Sequence, residues 1–207
     1  MIWEGLNPPY ATIVADPPWD HSDGTGVRFG RGDHRYRNWS PGEDASDTTM
    51  PYSVMSLDQI AAMPVGDLAA TDAHLYLWTT NRYLRASYDV AESWGFSVSS
   101  TLVWCKPARG FSMGGTFGSN VEFIQFCRCG SLTANRSEPT RWFPWPRTPG
   151  PSVRRGRKRN SLHSAKPAAF LDLVEQVSPG PYVELFARQP RLGWDSWGHG
   201  YELGDTA

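Results

Sequence analysis

The tetrapeptide Asp16-Pro17-Pro18-Trp19 places a carboxylate, two prolines and a flat indole next to one another. Proline fixes φ and supplies no N–H, so we expect the carbonyls here to be held rigid, with no local donor competing for them. A planar amine on an aromatic ring, such as the exocyclic amine of adenine, could donate one hydrogen to Asp16 and the other to the Pro17 carbonyl. Trp19 is expected to stack on the ring.

The run Ala11–Ala15 leads directly into this tetrapeptide and is typical of a short buried strand. In open α/β sheets, ligands bind at the carboxyl ends of such strands. A chemically inert proline-rich turn is the alternative interpretation of the four residues alone. A second copy of the pattern, Asn7-Pro8-Pro9-Tyr10, has no proper strand in front of it, and we therefore favour Asp16.

Two later motifs add charged side chains. The segment His163-Ser164-Ala165-Lys166-Pro167 lies at a predicted helix start, where a lysine is disfavoured by the helix dipole. This suggests an anionic partner for Lys166, with a solvated lysine as the alternative. In Glu184-Leu185-Phe186-Ala187-Arg188, a buried Glu184 would need a partner, and Arg188 is the obvious one.

The elements that must position these residues alternate along the chain, which favours an α/β fold with a mainly parallel sheet. Ser56, with Gln59 in the capping-box position, predicts the start of a short helix. Further helices are predicted over Arg82–Trp94 and Pro167–Val177. Further strands are predicted over Ala73–Thr79, Phe96–Lys106, Val121–Arg128 and Tyr182–Ala187.

The 207 residues suit a single domain, with long functional loops predicted at about 20–51 and 130–160. Tyr36 and Trp39 are the expected substrate contacts of the first loop. The second carries a cluster of five cations, which could neutralise phosphates or simply be solvated. Aromatic residues in the same region offer stacking surfaces for unpaired bases. The cations are Arg154, Arg155, Arg157, Lys158 and Arg159, and the aromatic residues are Trp142, Phe143 and Trp145.

Composition restricts the other classes of function. No apolar stretch approaches the ~18 residues that span a membrane, and no secretory signal is visible, so a cytoplasmic protein is expected. The three cysteines do not form a disulfide framework, and Cys127 and Cys129 are expected to be small core residues. The five histidines show no metal-ligand spacing.

Taken in order, the motifs resemble the MT-A family of S-adenosylmethionine-dependent N(6)-adenine methyltransferases, which includes the catalytic subunit of the mRNA adenosine methyltransferase. The resemblance runs from about Ile13 to Gly198, nearly the whole chain. It rests on the following series: Asp16-Pro17-Pro18-Trp19, Pro51-Tyr52, Met55-Ser56, Leu77-Trp78-Thr79, Trp94-Gly95-Phe96, Val103-Trp104-Cys105-Lys106, Glu122, His163 to Pro167, Glu184 to Arg188 and Gly193 to Gly198.

The resemblance implies a Rossmann-like sheet in permuted order, with the Asp16 strand ahead of the strand that ends at the cofactor's ribose. It implies S-adenosyl-L-methionine as the cofactor, with Lys166 at its carboxylate and Glu184 and Arg188 near its ribose. Asp16 would touch both the cofactor's amino end and the target amine. His199 stands where the family usually has asparagine, and is a further candidate cofactor contact.

The expected reaction is direct methyl transfer to the N(6) amine of adenine, with DNA as the preferred substrate. Catalysis would fall to Asp16, Pro17, Pro18 and Trp19. RNA adenosine, the exocyclic amine of cytosine, and a non-catalytic nucleic-acid-binding partner subunit remain alternatives. Methylation at carbon 5 of cytosine would need a nucleophilic cysteine, usually after proline, and no cysteine here follows one.

Overall fold

The computed structural model describes residues 2–19, 55–106, 120–146 and 165–198. Strands and helices alternate along most of this part of the chain. In chain order, the elements are β1 (Tyr10–Ala15), α1 (Leu57–Ala61), a 3-10 helix (Val65–Leu68), β2 (Ala69–Thr79), α2 (Ala86–Ser93), β3 (Ser97–Cys105), β4 (Val121–Cys129), β5 (Trp142–Phe143), α3 (Ala168–Val177), β6 (Tyr182–Leu185) and β7 (Trp194–Trp197).

The strands form one sheet in the order β5-β3-β4-β2-β1-β6-β7. Strand β4 runs antiparallel to β2 and β3, and every other neighbouring pair is parallel. The predicted mainly parallel, Rossmann-like sheet is therefore confirmed. Strands β1, β2, β3 and β6 end at one edge of the sheet and β4 begins there. We call this edge the carboxyl edge.

Side chains alternate between two apolar layers. One face of β1 and β2 packs against α1 and α2, and the other packs against α3. Members of the first layer include Ile13, Leu75, Leu77, Ile60, Val90 and Trp94. Members of the second include Val14, Tyr76, Trp78, Trp104, Phe170 and Val174. Because α3 begins beside the carboxyl edge, Lys166, two residues before it, can reach the end of β1.

The capping box at α1 is confirmed: the Ser56 hydroxyl accepts from the Gln59 N–H, and the Gln59 side chain accepts from the Ser56 N–H. Helix α2 is shorter than the predicted Arg82–Trp94 because residues 81–85 form turns. The predicted loop at 130–160 is partly wrong, since β5 lies within it and pairs with β3.

Cys127 is fully buried, as predicted for a core residue, whereas Cys129 is only partly buried. Both thiols are free, as is that of Cys105. No helix in the described ranges could span a bilayer, and the longest of them, α3, has ten residues.

Candidate active site

Strand β1 places Asp16 at the carboxyl edge between two parallel neighbours. Ala15 pairs with Leu77 on one side and Leu185 on the other, and the Asp16 N–H donates to the Leu185 carbonyl at 3.4 Å. The earlier Asn-Pro-Pro-Tyr copy ends at Tyr10, the first residue of β1, and therefore lies at the opposite edge of the sheet. Only the Asp16 copy therefore stands where parallel strands end.

The two prolines are held by backbone hydrogen bonds that the sequence did not predict. The Trp19 N–H donates to the Pro17 carbonyl at 2.8 Å, and the Met55 N–H donates to the Pro18 carbonyl at 3.0 Å. The expectation that no local donor competes for these carbonyls is therefore wrong. A carbonyl oxygen has two lone pairs, so Pro17 can still accept one more hydrogen bond.

Trp19 lies in the core and not at a ligand-facing surface. Its side chain is 3% exposed, its ring stacks on Tyr83 at 5.3 Å between centroids, and its Nε1–H donates to the Trp78 carbonyl at 3.0 Å. The prediction that Trp19 stacks on the substrate ring is wrong, because a ring buried this deeply offers no free face to a base. Its bonds instead fasten the proline turn to the end of β2.

Lys166 is buried beside Asp16, which contradicts the alternative of a solvated lysine. Its Nζ lies 2.9 Å from Asp16 Oδ2 and 3.3 Å from Glu122 Oε2, and the Lys166 side chain is only 16% exposed. The helix begins after Pro167, so Lys166 precedes the first turn. The anionic partners that its position suggested include two carboxylates of the protein itself.

Glu122 and Lys106 complete the site, and sequence reasoning assigned neither of them a role. Glu122 starts β4 at the carboxyl edge, and Lys106 follows β3 at the same edge. Their side chains form an ion pair and are 9% and 14% exposed. Asp16, Lys166, Glu122 and Lys106 therefore form one buried ion-pair chain across the edge. A glutamate within the apolar run of β4 was the available signal.

The charges of the ion-pair chain stabilise one another. Burial lowers the pKa of Lys166, but the carboxylates of Asp16 and Glu122 outweigh it, and the pKa lies above its usual value. Burial raises the pKa of Glu122, but Lys166 and Lys106 outweigh it, and the pKa lies below its usual value. Both groups are therefore charged at neutral pH.

Glu184 lies on the strand next to Asp16 and behaves differently. Burial and the nearby charge of Asp16 raise its pKa to about 7, against the smaller opposing effects of Arg191, Arg188 and Lys166. Arg188, the partner suggested by the sequence, is thus one of three cations that favour the ionised form. Near neutral pH the Glu184 carboxyl can donate or accept a hydrogen bond.

The backbone turn that follows β6 has an unusual conformation and packs closely against Gly198. Phe186 has φ of +62°, a left-handed conformation that costs a non-glycine residue about 1–2 kcal/mol. Strained backbone of this kind clusters at ligand sites. Gly198 packs against the same turn, since a Cβ there would lie 2.5 Å from the Ala187 carbonyl oxygen. Only glycine fits at this position without displacing the end of β6.

Three buried hydroxyls near the carboxyl edge have no hydrogen-bond partner within the described residues: those of Thr79, Thr80 and Ser196. Ser196 pairs with Glu184 across β6 and β7. Buried polar groups are nearly always hydrogen-bonded, and an unpaired one costs free energy. The Ser196 hydroxyl and the Glu184 carboxyl are thus suited to a hydroxyl-bearing ligand.

Several predicted site residues fall outside the described ranges: Tyr36, Trp39, the cations Arg154, Arg155, Arg157, Lys158 and Arg159, and His199. The described residues that flank the basic segment lie near the carboxyl edge. Trp145 accepts the Trp104 Nε1–H at 3.0 Å, and Lys166 contacts Asp16. Of the three neighbouring aromatic residues, Phe143 is buried and Trp145 packs on it, whereas Trp142 is 59% exposed. Only Trp142 matches the predicted stacking surface.

Comparison with known proteins identifies the family of this chain. The model of the MT-A70 family matches residues 10–200. A type II methyltransferase, M.MunI, from Mycoplasma sp is 28% identical over 193 residues, which cover 91% of this chain and 76% of that protein. The N(6)-adenine-specific methyltransferase METTL4 of Mus musculus is 28% identical over 92% of this chain, but the matched region spans 37% of that protein. The human METTL4 protein is 26% identical with the same coverage. The chain belongs to the MT-A70 family.

Proposed function

We propose that this protein is an S-adenosylmethionine-dependent methyltransferase that modifies the N(6) amine of adenine in DNA. The observation that carries the proposal is the position of Asp16. Its carboxylate lies at the end of a central parallel strand, 2.9 Å from a buried lysine and next to the strand that carries Glu184. Membership in the MT-A70 family and the names of the similar proteins support the same reaction.

The residues at β1, β6 and β7 fit the chemical groups of the cofactor. Lys166 offers a buried ammonium for the carboxylate, and Asp16 offers a carboxylate for the amino group. Glu184, Arg188 and the unsatisfied Ser196 hydroxyl fit the ribose hydroxyls. When bound, S-adenosylmethionine supplies a methyl group attached to a positively charged sulfur. We also propose that His199 contacts the cofactor.

Asp16 and Pro17 would orient the target amine. The lone pair of an aromatic amine is delocalised into the ring, so transfer requires a pyramidal nitrogen. Hydrogen bonds from the amine to Asp16 and to the remaining lone pair of Pro17 favour that geometry, and they strengthen as positive charge develops on nitrogen. The rigid proline turn would also help to align the target amine for methyl transfer, and the rate depends on this alignment. Asp16 need not be a strong base, because the ammonium product is very acidic.

DNA is the substrate that we favour, because M.MunI, which aligns over 91% of this chain, is named a type II methyltransferase. RNA adenosine is the second candidate, since other matching relatives are named MT-A70-like N(6)-adenosine-methyltransferases. The intact ion pair between Asp16 and Lys166 argues against a non-catalytic partner subunit. A cytoplasmic location remains a prediction.

The test is transfer of tritiated methyl from S-adenosylmethionine to duplex DNA, single-stranded DNA and RNA, followed by nucleoside digestion and mass identification. We expect N(6)-methyladenine in DNA. Asp16→Ala should lower transfer by at least about 100-fold, since it removes a hydrogen bond that is strongest in the transition state. Asp67→Ala, at an exposed aspartate before β2, is the matched control and should retain activity. Full activity in Asp16→Ala would refute the assignment, and label in RNA alone would favour the second candidate.

A further inference from the structure

We propose that Lys106 is a positioning residue: it holds Glu122 so that Lys166 stays shared between Glu122 and Asp16. The inference rests on the proposed function, because it assigns a role in the site that would hold cofactor and target amine. Lys106 itself is two ion pairs away from the lysine that contacts Asp16, with Glu122 shared between the two pairs.

The two lysines bind different oxygens of Glu122. Lys106 Nζ pairs with Oε1, whereas Lys166 Nζ lies 3.3 Å from Oε2. The carboxylate therefore bridges the two ammonium groups. Without Lys106, both oxygens and the whole charge of Glu122 would be available to Lys166. The lysine would then be drawn towards Glu122 and away from Asp16.

Lys106 is anchored for this role by both backbone and side chain. The Lys106 backbone N–H donates to the Asn120 carbonyl at 2.7 Å. Trp104, two residues before Lys106, pairs with Glu122 in the sheet. The Lys106 ammonium also lies 5.1 Å from the Trp104 ring centroid, within the range of a cation–π contact. Lys166 makes the equivalent contact with Trp78 at 5.0 Å.

Burial strengthens these ion pairs. Exposed salt bridges contribute little, because water and salt screen them. Here the side chains of Lys106, Glu122, Lys166 and Asp16 are between 9% and 17% exposed. Removing one member of a buried pair leaves an uncompensated charge, and the remaining charges must rearrange. The effect of Lys106 is therefore expected to reach Asp16.

Lys106→Met tests the inference, since methionine can keep the packing on Trp104 without the charge. We expect kcat/KM to fall about 10-fold, and Lys106→Arg to restore most of it. In a Lys166→Gln background, Lys106→Met should change cofactor affinity less than 2-fold, because the effect of Lys106 passes through Lys166. Arg136→Met, at an exposed arginine paired with Glu138, is the matched control.

A second readout does not depend on methyl transfer. Carbon-13 NMR of the Glu122 carboxyl against pH should show a higher pKa in Lys106→Met, because one of its two cations is gone. Among the described residues, the groups facing Glu122 are Lys106 just after β3 and Lys166 before α3, with Asp16 behind Lys166. The Lys166 side-chain resonances should shift as well.

The outcomes separate this inference from the proposed function. Unchanged Glu122 titration and unchanged Lys166 resonances would overturn the role of Lys106 whether or not the protein methylates DNA. The inference would also be overturned if Lys106→Met lowered cofactor affinity as much in the Lys166→Gln background as in the wild type, since Lys106 would then act directly. Absence of methyl transfer by the wild type, with the NMR changes as expected, would refute the proposed function alone.

Discussion

Glu184 is a residue whose protonation near neutral pH is changed by the fold. Its pKa is raised from 4.5 to about 7, with burial as the largest cause and Asp16 as the next. Between these two pH values the folded protein keeps a proton that the unfolded chain has lost. The free energy of unfolding therefore falls as pH rises through this window, by at most about 3 kcal/mol at 1.36 kcal/mol per pKa unit.

Glu184→Gln should remove this dependence, because glutamine has a similar shape and does not titrate. We expect the variant to gain stability over the wild type as pH rises from 5 to 8, measured by urea unfolding at each pH. Glu92→Gln, at an exposed glutamate of α2, is the control and should follow the wild type. If Glu184→Gln also follows the wild type, the carboxyl keeps an ordinary pKa in the folded protein.

At the residue scale, sequence reasoning singled out residues whose local motifs were distinctive, and their roles in the reaction remain predictions. Asp16 and Lys166 were predicted from their own neighbours and meet at 2.9 Å. Glu122 and Lys106 were missed because their meaning comes from pairing across β3 and β4 and from α3. Trp19 was misread for a related reason: the sequence does not show that Tyr83 covers its ring.

At the scale of elements, the turn after β6 packs closely against Gly198, which follows β7. A Cβ on Gly198 would lie 2.5 and 2.8 Å from the carbonyl oxygen and nitrogen of Ala187. These are backbone atoms, so the overlap can be relieved only by moving β6 or β7. The end of β6 would then shift, and the side chains of Glu184 and Arg188 would shift with it.

Gly198→Ala should therefore destabilise the fold by about 1–3 kcal/mol, as overpacking typically does, and should weaken S-adenosylmethionine binding at least 10-fold. Thermal unfolding and equilibrium dialysis measure the two effects. Gly66→Ala is the matched control: its Cβ would lie 2.9 Å from the Trp94 carbonyl oxygen, before β2 at the opposite edge. It should lose stability but keep cofactor affinity. Equal loss of affinity in both variants would remove the special role of the β6 turn.

Elements were predicted well where length and periodicity made the signal strong, and poorly elsewhere. Strands β1, β2 and β6 were predicted from apolar runs, and such runs are typical of the buried parallel strands that they form. Strands β5 and β7 have two and four residues and become strands only by pairing with β3 and β6. Residues 82–85 were predicted as the start of a helix from their periodicity, yet they form turns, with Tyr83 stacked on Trp19.

At the scale of the whole molecule, charge is unevenly distributed. The net charge is −1, so long-range attraction to a polyanion is not expected of the chain as a whole. The ion-pair chain contains two carboxylates and two ammoniums and is itself neutral. Attraction to phosphates must therefore come from local clusters, and Arg154 to Arg159 form the densest one in the sequence.

The residues that flank this cluster lie near the candidate active site. The segment that contains it leaves the sheet after β5, next to Trp104, and returns at Lys166, which contacts Asp16. Both attachment points adjoin the carboxyl edge, where the target base is proposed to bind. We therefore expect the cluster to bind phosphates of the substrate strand, although the conformation of the cluster lies outside the described residues.

Reversing Arg154, Arg155 and Arg157 to glutamate should weaken DNA binding and flatten its dependence on salt. Each lost phosphate contact lowers the slope of log K against log salt by about 0.9 for duplex DNA or 0.7 for single strands. Fluorescence anisotropy at 50 to 200 mM salt measures this slope. The control is Arg128→Glu, at an exposed arginine near the opposite edge of the sheet, which should leave the slope unchanged. Equal slopes in the triple variant and the wild type would show that these arginines are only solvated, and the phosphate contacts would then have to be sought elsewhere along the carboxyl edge.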